Sequence, residues 1–248
     1  MTTPSPMAAP TLVLISGYAR AGKDTLANGI LEWSNRPSAR INFADALKEA
    51  GNHYLDYLQL NGNFFNEDFK CEHRDFLVAA GRLARQLDQD IFAKHLANFV
   101  PCIPNADVEL ANETVVCSDW RYINEYRVCQ DILQPLGWKV RTIYVQTTGV
   151  GPANSEEEDS IEAIRHGHSF DQEYIFRPND RNTIMQEGRV LAKSWRLGPP
   201  RPWHGVARSA FPLIVSPSSP LARSSRSATA TANLSVTRPR TLTTISRS

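Results

Sequence analysis

Short apolar runs alternate along the chain with stretches whose apolar residues recur every three or four positions. Residues 11–16 (TLVLIS) are rich in β-branched side chains and stop at Gly17, which predicts a buried strand. Residues 25–33 place Leu26, Ile30 and Trp33 at helical spacing. Residues 39–43 are a candidate second strand, and residues 44–60, with Leu47, Tyr54, Leu55 and Leu58, a second helix. Residues 61–70 read as a loop, and 74–99 as two helices broken near Asp88. Residues 114–117 (TVVC), 140–145 (VRTIYV) and 174–176 predict three further strands. Residues 123–136, closed by Gly137, and residues 183–195 predict two further helices. The polar, acidic stretch 149–171 promises little regular structure. Strands alternating with helices argue for an α/β fold with a mostly parallel sheet.

This patterning stops near residue 198. From Pro199 on, 36 of 50 residues are Ser, Thr, Pro, Ala or Arg, a composition that cannot bury enough apolar surface to offset chain entropy. Those 50 residues carry seven arginines, no lysine and no acid. The net charge of +1 thus averages a mildly acidic body and a basic tail. The expected organisation is a disordered N-terminus (1–10), one catalytic domain (11–198) and a disordered or non-native tail (199–248). A nucleic-acid-binding arm is the alternative for the tail, but its arginines are scattered and aromatics are sparse, so nucleic acid is not expected as a partner. No apolar run approaches the roughly 20 residues of a bilayer span. Met1–Pro10 carries no basic residue, so no signal peptide is read there. A cytoplasmic location is expected, the host cytoplasm if the chain is viral. Cys71, Cys102, Cys117 and Cys129 lack metal or disulfide-framework spacing and read as reduced, buried thiols.

The sharpest chemical signal is Gly17-Tyr18-Ala19-Arg20-Ala21-Gly22-Lys23-Asp24-Thr25, which fits G-x-x-x-x-G-K between a strand and a helix. The two glycines let the backbone curl so that successive N–H groups converge on an anion, and the helix adds its positive N-terminal end. Lys23 can reach terminal phosphates as a mobile charge. Asp24 stands where Ser or Thr is usual and could contact a metal or its waters. Thr25 could bond an α-phosphate oxygen.

The segment LISGYARAGKDTLA resembles the phosphate loop of phage-type deoxynucleoside monophosphate kinases, which carry G-K-D-T; animal-type phosphomevalonate kinases also carry G-K-D. The resemblance continues in order through Asn42–Lys48 (NFADALK), Arg74–Leu77 with Gly81, Val115–Arg121 (VVCSDWR) with Glu125, and Asn179-Asp180. It departs in the lid, where residues 159–162 (DSIE) keep only the Glu of a usual H-x-[ST]-E, and at Val78 and Arg82.

This resemblance implies a nucleoside-kinase-like three-layer fold, with an acceptor-binding insert at about 44–100 and a lid at about 149–171. It implies ATP and Mg²⁺ as cofactors and a nucleoside monophosphate as acceptor, and it allows a homodimer. ATP would be held by Gly17, Arg20, Ala21, Gly22, Lys23, Asp24, Thr25 and Asn179. Asp45, Lys48, Arg74, Arg82, Asp119 and Arg121 would hold the acceptor, with Asp24 and Asp119 on the metal. Lys23, Asp24, Arg121 and Arg165 would act on the transferring phosphoryl group. Blander readings stand beside these: Asp119 and Arg121 as a helix-capping pair, Asp45 and Lys48 as a surface pair, and the acidic run 156–159 as a solvated face. Two functional alternatives remain, a kinase of another small phosphorylated acceptor and a nucleotide-dependent switch or nucleic-acid-binding ATPase.

Overall fold

The computed structural model describes residues 9–34, 38–102 and 114–197. The expected tail (199–248), most of the expected N-terminal extension and most of the connection at 101–113 lie outside the described residues. By contacts the chain divides into residues 1–204 and 205–248, and every described residue belongs to the first unit.

Among the described residues, five parallel strands form one sheet in the order β2-β3-β1-β4-β5. They are β1 (Thr11–Ser16), β2 (Ser38–Arg40), β3 (Thr114–Trp120), β4 (Lys139–Thr147) and β5 (Gln172–Phe176). The helices are α1 (Lys23–Trp33), α2 (Asp45–Tyr57), α3 (Glu67–Glu72), α4 (Arg74–Leu87), α5 (Ile91–Phe99), α6 (Ile123–Leu133), α7 (Ser155–Gly167) and α8 (Arg181–Ser194). β1 lies between β3 and β4, with Leu14 opposite Cys117 and Thr142. Every residue of β1 is buried, as a central parallel strand covered on both faces requires.

Alternate β1 side chains feed two cores. Leu12 and Leu14 pack with Phe92 and Leu96 of α5, Cys129 and Leu133 of α6, and Ile161 and Ile164 of α7. Val13 and Ile15 pack with Leu26 and Ile30 of α1 and with Ile184 and Leu191 of α8. The result is the expected three-layer α/β architecture. α1 and α8 approach at glycines: a Cβ on Gly29 would stand 2.3 Å from the Met185 carbonyl oxygen, and one on Gly188 would stand 2.6 Å from that of Leu26.

Several boundaries differ from expectation. β2 spans only three residues, because Asn42 and Phe43 turn away to meet β3 through side-chain and backbone bonds. β3 runs on to Trp120, so Asp119 lies within the strand rather than after it. The expected loop at 61–70 gives way to α3 from Glu67 on, and Asn66 caps that helix by accepting from the Phe69 amide. The stretch 149–171 contains the 13-residue helix α7, not weak structure. Asn154 caps α7, three acids sit in its first turn, and Ile161 and Ile164 bury its inner face, so the favourable terminus outweighs the scarcity of apolar residues. The cysteines also divide: all four are free, Cys117 and Cys129 are buried, and Cys71 and Cys102 are exposed.

Candidate functional site

The loop between β1 and α1 emerges at the carboxyl end of the central strand, where the chain passes to β2 on one side and β4 lies on the other. In open parallel sheets this is the crevice in which ligands bind. Gly17 has φ +140°, and a Cβ there would stand 2.1 Å from the Val145 carbonyl oxygen, so only glycine lets the loop leave β1 beside β4. Gly22 has φ +91° and opens α1. Arg20, exposed at the loop apex, also takes a positive φ of 66°. Ala21 is buried, its amide bonded to the Tyr18 carbonyl and its own carbonyl accepting from the Thr147 hydroxyl at 3.0 Å.

The Lys23 ammonium folds back into this loop. It donates to the carbonyl oxygens of Gly17 at 2.6 Å and Tyr18 at 2.7 Å. Burial first, and the positive charge of Arg121 second, lower its pKa from 10.5 to about 8, against the pull of Glu157, Asp24 and Asp119. Thr25 lies in the first turn of α1.

Asp24 is paired although its side chain is largely exposed. Its Oδ1 pairs with the Arg40 guanidinium and accepts from the Ser118 hydroxyl at 2.8 Å. Arg40 also donates to Ser118 Oγ at 2.8 Å, so the guanidinium bridges the two oxygens. Asn42 closes the group, its Oδ1 accepting from the Ser118 amide at 3.0 Å. Asp119 spends both carboxylate oxygens on backbone, accepting from the amides of Phe43 at 2.9 Å and Ala44 at 3.0 Å. It thereby fastens the start of α2 to the end of β3. Asp45 accepts from the Asn42 amide and pairs with Lys48 at 2.7 Å.

Arg121 follows β3 and approaches Oε1 of Glu157 at 3.6 Å. That carboxylate, only 3% exposed, accepts from the Ala19 amide of the β1–α1 loop at 3.0 Å and from the Ala153 amide at 2.7 Å. Its neighbour Glu156 pairs with Arg82 of α4 and accepts from the Tyr122 hydroxyl. α7 is therefore tied to both the β1–α1 loop and α4. Arg165, farther along α7, pairs with Glu162 at 2.8 Å and lies over the Tyr144 ring. The Tyr18 hydroxyl donates to the same Glu162, and burial followed by this carboxylate raises the phenol to about 12.

The expected residues thus fall into different positions. Gly17, Arg20, Ala21, Gly22, Lys23, Asp24 and Thr25 form one turn, joined through Ser118 and Glu157 to Asp119 and Arg121. Asp45 and Lys48 adjoin this group at the head of α2. Arg74 is exposed at the start of α4; Arg85, outside the expected set, lies farther along that helix between the rings of Phe92 and Tyr122. Asn179 takes φ 60° just before Asp180, whose side chain caps α8. Trp120 is fully buried against Tyr126, His168 and Phe170. It packs in the core, and His168 is a partner in that cluster.

Sequence reasoning missed Arg40, Ser118 and Glu157. Arg40 and Ser118 carry no local signature. Glu157 did: Asn154-x-x-Glu157 is the spacing of a helix N-cap with an acid at the third position, which marks the run as a helix start rather than a solvated face.

No family model matches the chain, and no curated protein does. Among solved structures it is similar to a sugar kinase from Janibacter sp., with 13% identity over 76% of this chain and 94% of that one and a TM-score of 0.40. It is similar to the Mycobacterium tuberculosis APS kinase CysC in complex with AMPPNP and APS, with 12% identity, 75% and 96% coverage and a TM-score of 0.38. A putative kinase from Chloroflexus aurantiacus gives 16% identity, 76% and 98% coverage and a TM-score of 0.39. At these scores the likenesses carry no functional weight and do not single out a deoxynucleoside monophosphate kinase; the functional reading rests on the site.

Proposed function

We propose that the chain is an ATP-dependent phosphotransferase acting on a (deoxy)nucleoside 5′-monophosphate. The observation that carries this reading is the glycine-bounded loop between β1 and α1, with Lys23 inside it and Arg121 beside it at the carboxyl end of the sheet. Loop amides, the α1 N-terminus and Lys23 provide the donors that a triphosphate needs. The acceptor half rests on the ordered resemblance through NFADALK, the DWR turn and Glu125.

In the reaction an acceptor phosphate oxygen attacks the γ-phosphorus of ATP. The bond from that phosphorus to the β,γ-bridging oxygen breaks, and ADP and the nucleoside diphosphate leave. The acceptor phosphate is largely ionised at neutral pH, so no side chain has to take a proton. Positioning two anions and neutralising their charge is the task, and Lys23 and Arg121 serve it. Mg²⁺ would supply further neutralisation of the phosphate oxygens. Asp24 and Ser118, whose oxygens already face a positive group, the Arg40 guanidinium, would hold such an ion only once Arg40 gives way; Asp119, whose oxygens are engaged with backbone, would meet it through water.

The test is a coupled assay for ADP with a panel of dNMPs and NMPs, phosphomevalonate, and no acceptor. ADP release only with a nucleoside monophosphate supports the proposal. Release only with phosphomevalonate assigns another phosphorylated acceptor. Equal release without acceptor identifies a hydrolysing switch.

A further inference from the structure

The phosphate loop already holds an anion, supplied by the chain itself. The Glu157 carboxylate takes the Ala19 amide of the loop, approaches Arg121, and lies close enough to Lys23 to influence its charge. A loop backbone N–H, a guanidinium and a nearby lysine are groups that a phosphate recruits. A second backbone amide, Ala153, completes the shell, so the buried carboxylate is fully satisfied where it sits.

We infer that Glu157 is an internal phosphate mimic that latches α7 onto the empty-handed loop, and that an arriving polyphosphate displaces it. This rests on the reading of residues 17–24 as a phosphate loop. Glu157 and a phosphate cannot both accept from the Ala19 amide at hydrogen-bond distance, and two anions sharing these cations repel. A polyphosphate carries more charge than a carboxylate and recruits more of the loop amides, so it prevails and shifts the population to the released state.

The surroundings permit release. The segment before α7 has Gly149 at φ +80°, and a side chain at either Gly149 or Gly151 would meet nothing within 4 Å. The far half of α7 stays anchored by Ile161 and Ile164 in the core. Movement is thus confined to the first turn and the segment ahead of it. Because Glu156 ties that same turn to Arg82 and Tyr122, release would also free the α4 side of the site. Phosphate binding at one end is thereby coupled to access at the other.

The test uses inorganic tripolyphosphate and the full chain. Its affinity for wild type and Glu157→Gln is measured by calorimetry, and amide exchange at Ala19 and Ala153 is followed with and without the ligand. E157Q keeps an oxygen acceptor but loses the charge, and it is expected to bind tripolyphosphate about tenfold more tightly, within the usual range of intramolecular coupling. In wild type the ligand should speed exchange at Ala153, whose partner leaves, while Ala19 stays protected by phosphate. A plain structural role for Glu157 would not produce these opposite responses. Unchanged or weaker binding by E157Q, or an Ala153 amide still protected with ligand bound, overturns the latch. No binding by either protein overturns the phosphate-loop reading and the latch with it. The exchange measurement on wild type decides the matter even where the variant fails to fold.

Discussion

Lys23→Met keeps most of the side-chain length and removes only the ammonium. Lowering the Lys23 pKa from 10.5 to about 8 means that the folded loop disfavours the charged form. At 1.36 kcal/mol per unit this costs about 3 kcal/mol at pH 7, or nearer 2 after allowing for solvent screening. The two bonds to the carbonyls of Gly17 and Tyr18 return about 1 kcal/mol each. These contributions nearly cancel, so K23M should unfold in urea within about 1 kcal/mol of wild type at pH 7. The pH dependence is more telling. Between about 8 and 10.5 the unfolded chain binds a proton that the folded chain has lost, so Lys23 makes wild-type stability rise with pH across that window. K23M should lose this rise. Turnover in the coupled ADP assay should fall by at least 10²–10³-fold, as expected when a positioned donor to transition-state charge is removed. A variant within tenfold of wild-type turnover would refute the phosphate role. One destabilised by more than about 2 kcal/mol would show instead that the ammonium chiefly holds the loop together.

Gly188→Ala places a methyl 2.6 Å from the Leu26 carbonyl oxygen and should force α1 and α8 apart, costing about 1–3 kcal/mol and lowering Tm by several degrees. An unchanged Tm would show that the two helices adjust freely. Glu125 is buried, and desolvation raises its pKa from 4.5 to about 8 although the Arg121 and Tyr122 amides donate to it. Between those values the unfolded chain releases its proton first, so this group makes stability fall as pH rises; Glu125→Gln should flatten that fall in thermal melts from pH 5 to 8, and an identical profile would count against it. Arg82→Ala breaks only an exposed pair with Glu156, and its unfolding free energy should stay within about 0.5 kcal/mol of wild type.

Much of the fold was legible because its signals are local. TLVLIS is apolar at every position and reads as a strand covered on both faces; Gly17 and Gly22 mark a turn that other residues fit poorly. The break near Asp88 between α4 and α5 was equally visible. α7 was not, because Ile161 and Ile164 are the only apolar residues among its buried ones and its first turn is acidic. Short β2 was overextended because Ile41 and Phe43 alternate as strand residues do, yet Asp119 and Ser118, more than 70 positions away, claim Phe43 and Asn42.

The same division runs through the site. By itself the sequence determined that a glycine-bounded turn carrying a lysine follows the first strand, since backbone curvature and a lysine are encoded within nine consecutive residues. Only the tertiary structure decided what surrounds it. The bridging of Asp24 and Ser118 by Arg40, the binding of Asp119 to the head of α2, and the burial of one acid from a charged run against Ala19 all join residues distant in sequence. Such contacts depend on how β2, β3 and α7 pack around β1, and a periodic pattern can say which face of an element is buried but not which charge it meets there.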